Sequence, residues 1–323
     1  MKGALIVGID YYKEVNSLSG CVNDANNVME VLESHGDGSP NFECNLLTAT
    51  SIKSAINRRC LKDNVEELFK KDLDIALFYF AGHGYIDNAG GYIIASDSHY
   101  GDEGLALSDI LTFANKSPSK NRIIILDSCH SGQLGDRVGD EMATLKEGVT
   151  ILTASSKDQY ATEDESGGVF TNLFVDALNG SASNLKGEIT PGSVYSHIDQ
   201  SLGVWEQRPI FKTNIKQFVS LRQVSPKIAT NNLRRISELF PRYGYEYPLN
   251  PTYEPEEKGR DEGMPSPEKE NTEIFAILQQ YNRCGLLEPV DAKHMWNAAM
   301  ESKSCKLTLL GEHYRKLAIK KRI

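Results

Sequence analysis

The stretch from Arg122 to Gly132 reads Arg-Ile-Ile-Ile-Leu-Asp-Ser-Cys-His-Ser-Gly, and it limits the fold more than any other part of the chain. Its apolar run, Ile123 to Leu126, is mostly β-branched, the pattern of a short strand buried on both faces. Small and polar residues follow at once. In an α/β domain the carboxyl end of a strand is where chemistry is usually placed. Cys129 therefore stands where a strand ends and a site begins. A thiol becomes a useful nucleophile when it ionises or when a base stands beside it.

The candidate base lies 46 residues upstream. The apolar run Ile75 to Phe80 ends in Ala81-Gly82-His83-Gly84, again a strand followed by small residues around one reactive side chain. Adjacent parallel strands would bring His83 and Cys129 to the same sheet edge. The flanking glycines leave room for a substrate backbone, and the Gly84 amide can face a developing oxyanion.

Ala81-Gly82-His83-Gly84 and Asp127-Ser128-Cys129-His130-Ser131-Gly132 resemble the two catalytic motifs of the caspase-like cysteine peptidases. The spacing is close to the roughly 50 residues of caspases. The form Gln-Ala-Cys-x-Gly is absent, and Asp127 holds the position two before the cysteine, so the chain is most similar to the metacaspase (bacterial orthocaspase) branch. The resemblance spans roughly residues 1 to 220. It implies a three-layer α/β/α domain with a mostly parallel central sheet. It also implies a His83–Cys129 dyad, a covalent acyl-enzyme, and the Gly84 and Cys129 amides as oxyanion donors.

The same resemblance assigns Asp24, in Cys21-Val22-Asn23-Asp24-Ala25, and Asp127 to the pocket for the residue before the cleaved bond. Asp158 falls in a loop that forms a pocket wall in the family. A pocket with carboxylate walls accepts Arg or Lys and rejects Asp. The structural alternatives are a helix cap for Asp24 and a turn-forming role for Asp127. Gln133 to Gly148 occupies the place where many relatives are cut during maturation, and Arg137 and Lys146 would suit self-cleavage; the alternative is an ordinary surface loop. The chemistry requires no cofactor. Calcium activates several metacaspases, and Asp102, Glu103, Glu163, Asp164 and Glu165 are acidic loop residues, but no loop has EF-hand ligand spacing.

Strand and helix patterns alternate through the first 215 or so residues, which predicts a mostly parallel sheet with helices on both faces. Strands are expected at Ala4–Ile9, Glu43–Leu47, the two motif strands and Val149–Ala154, and a last one after Arg208. Helices are expected after Asn23 or Asp24, over Thr50–Arg59, Leu61–Lys71, Leu107–Ala114, Val169–Leu178 and Pro191–Leu202. Residues 1–220 are thus read as the peptidase domain. The composition then changes. Pro241 to Glu270 holds six prolines and many carboxylates, so residues 221–270 read as a linker or extended arm. Residues 271–323 read as a small, mainly helical, winged-helix-like module. From Glu301 onward it carries seven Lys or Arg against two Glu; such a unit could bind a partner protein, bind a nucleic acid, or simply pack on the enzyme.

The apolar content of 40% is globular, and a net charge of −9 argues against general nucleic-acid or acidic-membrane binding. No apolar run reaches the length of a membrane span, and Lys2-Gly3-Ala4-Leu5 leads straight into a strand with no secretory pattern. Six scattered cysteines without Cys-x-x-Cys fit free thiols in a reducing cytoplasm. The Gly-x-Ser-x-Gly, Gly-x-Gly-x-x-Gly and phosphate-loop signatures are missing. The sequence therefore reads as a cysteine endopeptidase in a regulated signalling, defence or cell-death-like pathway. The rival reading is a silent caspase-like scaffold that binds proteins.

Overall fold

The computed structural model describes residues 1–323 apart from 88–89, 100–103, 129–136, 139–140, 143, 155–162, 165–166, 204–207 and 259. For 86–87, 137–138, 141–142, 163–164 and 167 it describes the backbone alone. The chain divides into two compact units, residues 1–183 with 187–225, and residues 226–323 with 184–186.

In the first unit the elements run β1 (Lys2–Ile9), α1 (Cys21–Glu33), β2 (Glu43–Ala49), α2 (Arg58–Lys70), β3 (Ile75–Ala81), β4 (Gly84–Asp87) and β5 (Gly90–Ile93). They continue with β6 (Leu105–Ala106), α3 (Leu107–Lys116), β7 (Asn121–Asp127), β8 (Val149–Thr153), α4 (Val169–Asp176), α5 (Pro191–Ser201) and β9 (Ile210–Asn214). Six strands form one sheet in the order β9-β8-β7-β3-β1-β2. Every neighbour pair in it is parallel except β8–β9. β4, β5 and β6 make a small antiparallel sheet of their own.

Strand side chains alternate faces, and here each face has its own helical cover. Leu5, Val7, Phe78, Phe80, Ile124 and Leu126 pack under α2 and α3. Ala4, Ile6, Leu77, Tyr79, Ile123 and Ile125 pack under α1, α4 and α5. That explains why the motif strands read as unbroken apolar runs. The result is a three-layer α/β/α sandwich. One helix differs from expectation: over Thr50–Arg59 there is only a 3-10 turn, Ile52–Ser54, and α2 starts at Arg58. Ile52 is exposed, so no apolar stripe holds a longer helix, and the Asn57 side chain caps α2 by accepting the Cys60 N–H.

The second unit contains α6 (Thr230–Arg234), α7 (Ile236–Leu239), β10 (Glu246–Pro248), α8 (Lys269–Arg283), β11 (Leu287–Val290), α9 (Met295–Met300), β12 (Ser304–Leu307) and α10 (Leu309–Ile319). Its three-stranded antiparallel sheet has β12 in the centre. Residues 221–270, expected as a linker or arm, differ. Leu233, Ile236, Phe240 and Leu249 are buried in the same core as Phe275, Leu278 and Tyr281. The prolines do not prevent this because they sit at element ends: Pro248 closes an edge strand and Pro251 opens a 3-10 turn. From Pro255 to Glu268 no helix or strand is present among the described residues. There Arg260 ties the chain down by donating to the Pro251, Glu254, Glu256 and Pro265 carbonyls.

Candidate active site

The parallel strands end together, so their carboxyl ends share one sheet edge. The register sets Gly8 beside Ala81, Ala81 beside Asp127, and Leu126 beside Thr153. His83 follows Ala81 by two residues, and Cys129 follows Asp127 by two. The strands that lead into the two motifs therefore end side by side, each two residues before its motif residue. Cys129 itself lies outside the described residues.

His83 is held on both sides of its peptide. Its N–H donates to the Tyr12 hydroxyl (2.8 Å), and its carbonyl accepts the Ile94 N–H (2.9 Å). Gly84 follows as the first residue of β4 and pairs with Ile93. Gly82 has to be a glycine: a Cβ there would lie 2.6 Å from the Tyr12 hydroxyl and 2.8 Å from the Phe80 ring. The Tyr12 ring also packs on the imidazole, centroid to centroid 4.7 Å. Burial pushes the Tyr12 phenol well above its ordinary pKa, so at neutral pH it is a hydroxyl able to receive that amide.

The imidazole Nε2 lies 2.8 Å from the Asn16 carbonyl oxygen. A carbonyl only accepts, so Nε2 carries the proton and donates. In the neutral ring Nδ1 is then the basic nitrogen. The Asn16 carbonyl is an orienting group that sequence reading missed, because any residue type offers the same atom.

Two carboxylates converge at the same edge. Asp24 is not a helix cap. α1 begins at Cys21 behind Gly20, and Asp24 is buried within its first turn at 3% exposure. Its Oδ2 accepts the Gly168 N–H at 3.1 Å. The cap function falls to Asp10 at the end of β1, which accepts the Val22 N–H (3.3 Å); burial nonetheless raises the Asp10 pKa. Asp127, half-buried at the end of β7, accepts the Thr171 hydroxyl at 2.6 Å. Thr171 Oγ1 is also 2.6 Å from the hydroxyl of the fully buried Tyr79. A Cβ built on Gly168 would lie 2.7 Å from Asp127 Oδ2 and 3.1 Å from Asp24 Oδ2, so both carboxylates close on one point. Burial first, then the negative charges of Asp127 and Asp24, push the Tyr79 pKa well up. Gly168, Thr171 and Tyr79 were not singled out from sequence; α4 brings the first two to the site only after folding.

Asp158 lies outside the described residues, as do the side chain of Arg137 and the loop carboxylates weighed for calcium: Asp102, Glu103 and Glu165, with the side chains of Glu163 and Asp164. Lys146 is exposed but stands in a tied turn. Its N–H donates to the Asn115 side chain, and its carbonyl accepts the Val149 N–H. Among the described residues no three His, Cys, Asp or Glu side chains gather as a metal would require, and no helix is long and apolar enough to cross a membrane.

A mostly parallel sheet between two helical layers, with a histidine motif and a cysteine motif on adjacent strand ends, defines the caspase-like class of cysteine-peptidase folds. Residues 1–235 match the caspase-domain family, peptidase C14, and the chain belongs to that family of thiol hydrolases. It is similar to metacaspase-1 of Lodderomyces elongisporus, 29% identical over 199 residues covering 53% of this chain and 43% of the relative. It is similar also to metacaspase-1 of Candida albicans (30% over 191 residues; 51% and 42%) and to metacaspase-6 of Arabidopsis thaliana (31% over 156 residues; 44% and 41%). The chain thus spans less than half the length of these relatives. Among solved structures it resembles caspase-1 of Spodoptera frugiperda, with a TM-score of 0.52 at 13% identity over 69% of this chain and 90% of the other. That likeness shows the fold.

Proposed function

We propose that this protein is a cysteine endopeptidase that cuts protein or peptide chains after Arg or Lys. The observation that supports the reading is the β3–β7 register, which pairs Ala81, two residues before His83, with Asp127, two residues before Cys129, while Asp24 and Asp127 converge on Gly168. His83 Nδ1 takes the Cys129 proton while Asn16 holds the ring from Nε2. The thiolate attacks the substrate carbonyl, and the Gly84 and Cys129 amides stabilise the oxyanion; each such donor contributes about 3 kcal/mol. His83 then protonates the leaving amine, and water releases the acyl-enzyme. The substrate's guanidinium or ammonium enters between Asp24 and Asp127, where a third carboxylate would be repelled. Asp158 belongs to the pocket wall in this reading.

Family membership supports a peptide or protein substrate. The cytoplasm, a regulated pathway and an inhibited resting state belong to the same proposal, with the second unit recruiting a partner protein in preference to a nucleic acid. Calcium activation is tested by activity in chelator against millimolar calcium, and self-cleavage at Arg137 or Lys146 by sequencing the new termini. The decisive experiment is a thiol-directed peptidyl-Arg trap. It should label wild-type protein at Cys129 and leave Cys129→Ala unlabelled. Labelling elsewhere, or preferential cleavage after Asp in a peptide library, would overturn the proposal.

A further inference from the structure

Behind Asp127 the hydrogen bonds run in one direction. A carboxylate oxygen only accepts, so Thr171 must give its single hydroxyl proton to Asp127 Oδ2 (2.6 Å). Thr171 Oγ1 can then only accept from Tyr79, and the Tyr79 hydroxyl, also at 2.6 Å, donates to it. Both residues are fully buried: Tyr79 and Thr171 are each 0% exposed. Tyr79 faces the α1–α4 side of β3 between two phenylalanines that face the other side, Phe78 and Phe80. A phenylalanine would fill the same space without placing a hydroxyl in the core. Burying that hydroxyl is unfavourable unless its partner is fixed, and here the partner is Thr171 in the first turn of α4. The same turn supplies the Gly168 N–H to Asp24.

We infer that Tyr79 and Thr171 are positioning residues that lock the plane of the Asp127 carboxylate, and that this lock makes the pocket prefer the planar guanidinium of arginine over the ammonium of lysine. The inference rests on the peptidase reading above. A carboxylate free to rotate serves a point charge such as ammonium nearly as well as a fixed one does. A guanidinium pairs through a rigid fork, so it gains from an acceptor whose orientation is already set. Neither hydroxyl touches the scissile bond, so the lock acts on binding and on the choice between the two cations, leaving the chemical step alone.

The test compares matched peptide substrates ending in Arg, Lys or the neutral isostere citrulline before the scissile bond, with kcat and KM measured separately. Wild type should favour Arg over Lys. Thr171→Val should raise KM for Arg about tenfold with kcat nearly unchanged, the scale of one charge-assisted hydrogen bond. It should affect Lys less, so the Arg/Lys ratio falls, and Thr171→Ser should restore it. Tyr79→Phe, which leaves the Thr171 bond in place, should lower the ratio two- to threefold, on the order expected for the outer link of such a chain; it serves if the valine variant does not fold. An unchanged Arg/Lys ratio in folded Thr171→Val or Tyr79→Phe, or a loss in kcat alone, overturns the inference while leaving the peptidase reading intact. A wild type that cuts after neither cation overturns both.

Discussion

At the scale of single residues, the site depends on what is missing as much as on what is present. Gly168 leaves the space into which two carboxylate oxygens close, 2.7 and 3.1 Å from where its Cβ would be. Gly168→Ala must displace Asp127 or Asp24, and the convergence that holds the substrate cation in the proposed function is lost. KM for an Arg-ending peptide should rise about tenfold or more, the cost of disturbing one charge-assisted contact. Trapping of Cys129 by a small alkylating agent should be unchanged. Steady-state kinetics beside alkylation rates would check this, and equal losses in both would place the damage outside the pocket. The place of His83 just past a strand end was legible in the sequence because a strand followed by Gly-His-Gly is a local pattern. Asn16 was not, since it contributes only a backbone oxygen.

At the scale of elements, two buried arginines do the joining. Arg122, in β7, donates to the Ala114 carbonyl in the last turn of α3, to Ser119 and Lys120, and to Glu147 before β8. It thereby gives the Ala114 carbonyl a donor beside the Ser117 N–H and ties two turns to the helix end. Burial lowers its pKa, but it remains charged at any pH of interest. Arg122→Leu keeps the apolar stem and removes all four of these contacts, among them the buried one to Ser119. It should destabilise the first unit by about 3 kcal/mol, the upper end of the cost for one unsatisfied buried group. Urea unfolding followed by a probe within residues 1–183 would measure it. A change under about 1 kcal/mol would mean that water replaces the guanidinium. Arg222 plays a like part at Ser34 and Leu178. Strand and helix types were readable here from apolar periodicity. The start of α1 was misread because Asn23 and Asp24 are good cap residues, while the actual cap partner, Asp10, comes from another element.

At the scale of the molecule, the alternation of strands and helices was enough to foresee the layered sandwich, and the two motif strands were enough to foresee that their carboxyl ends share one edge of it. The second unit was harder. Its aromatic anchors, Phe240, Tyr245, Tyr247 and Tyr253, are interleaved with prolines and charges, so composition hid a core that shows only when β10 pairs with β12. That core also sets a pH limit. Burial pushes the Cys305 thiol up to about 12 from about 9. Below pH 9 folded and unfolded chains both keep the proton, and stability does not depend on it. Between 9 and 12 only the unfolded chain gives it up, so unfolding releases a proton and stability falls as pH rises. Melting of the second unit at pH 8 and pH 10.5 should show this fall, and Cys305→Val should flatten it. Equal slopes would assign the alkaline loss to the buried tyrosines.

The pairing of Ala81 with Asp127 has a consequence for what insertions and deletions this chain can survive. Connectors between the strands can lengthen or shorten without changing which rungs face each other. Removing a single residue from within Ile123–Leu126 is different in kind. Every side chain after the cut would swap faces, and the acid at the strand tip would turn toward the layer holding α2 and α3. Tolerance to length change should thus be generous in the loops and nil in four consecutive positions.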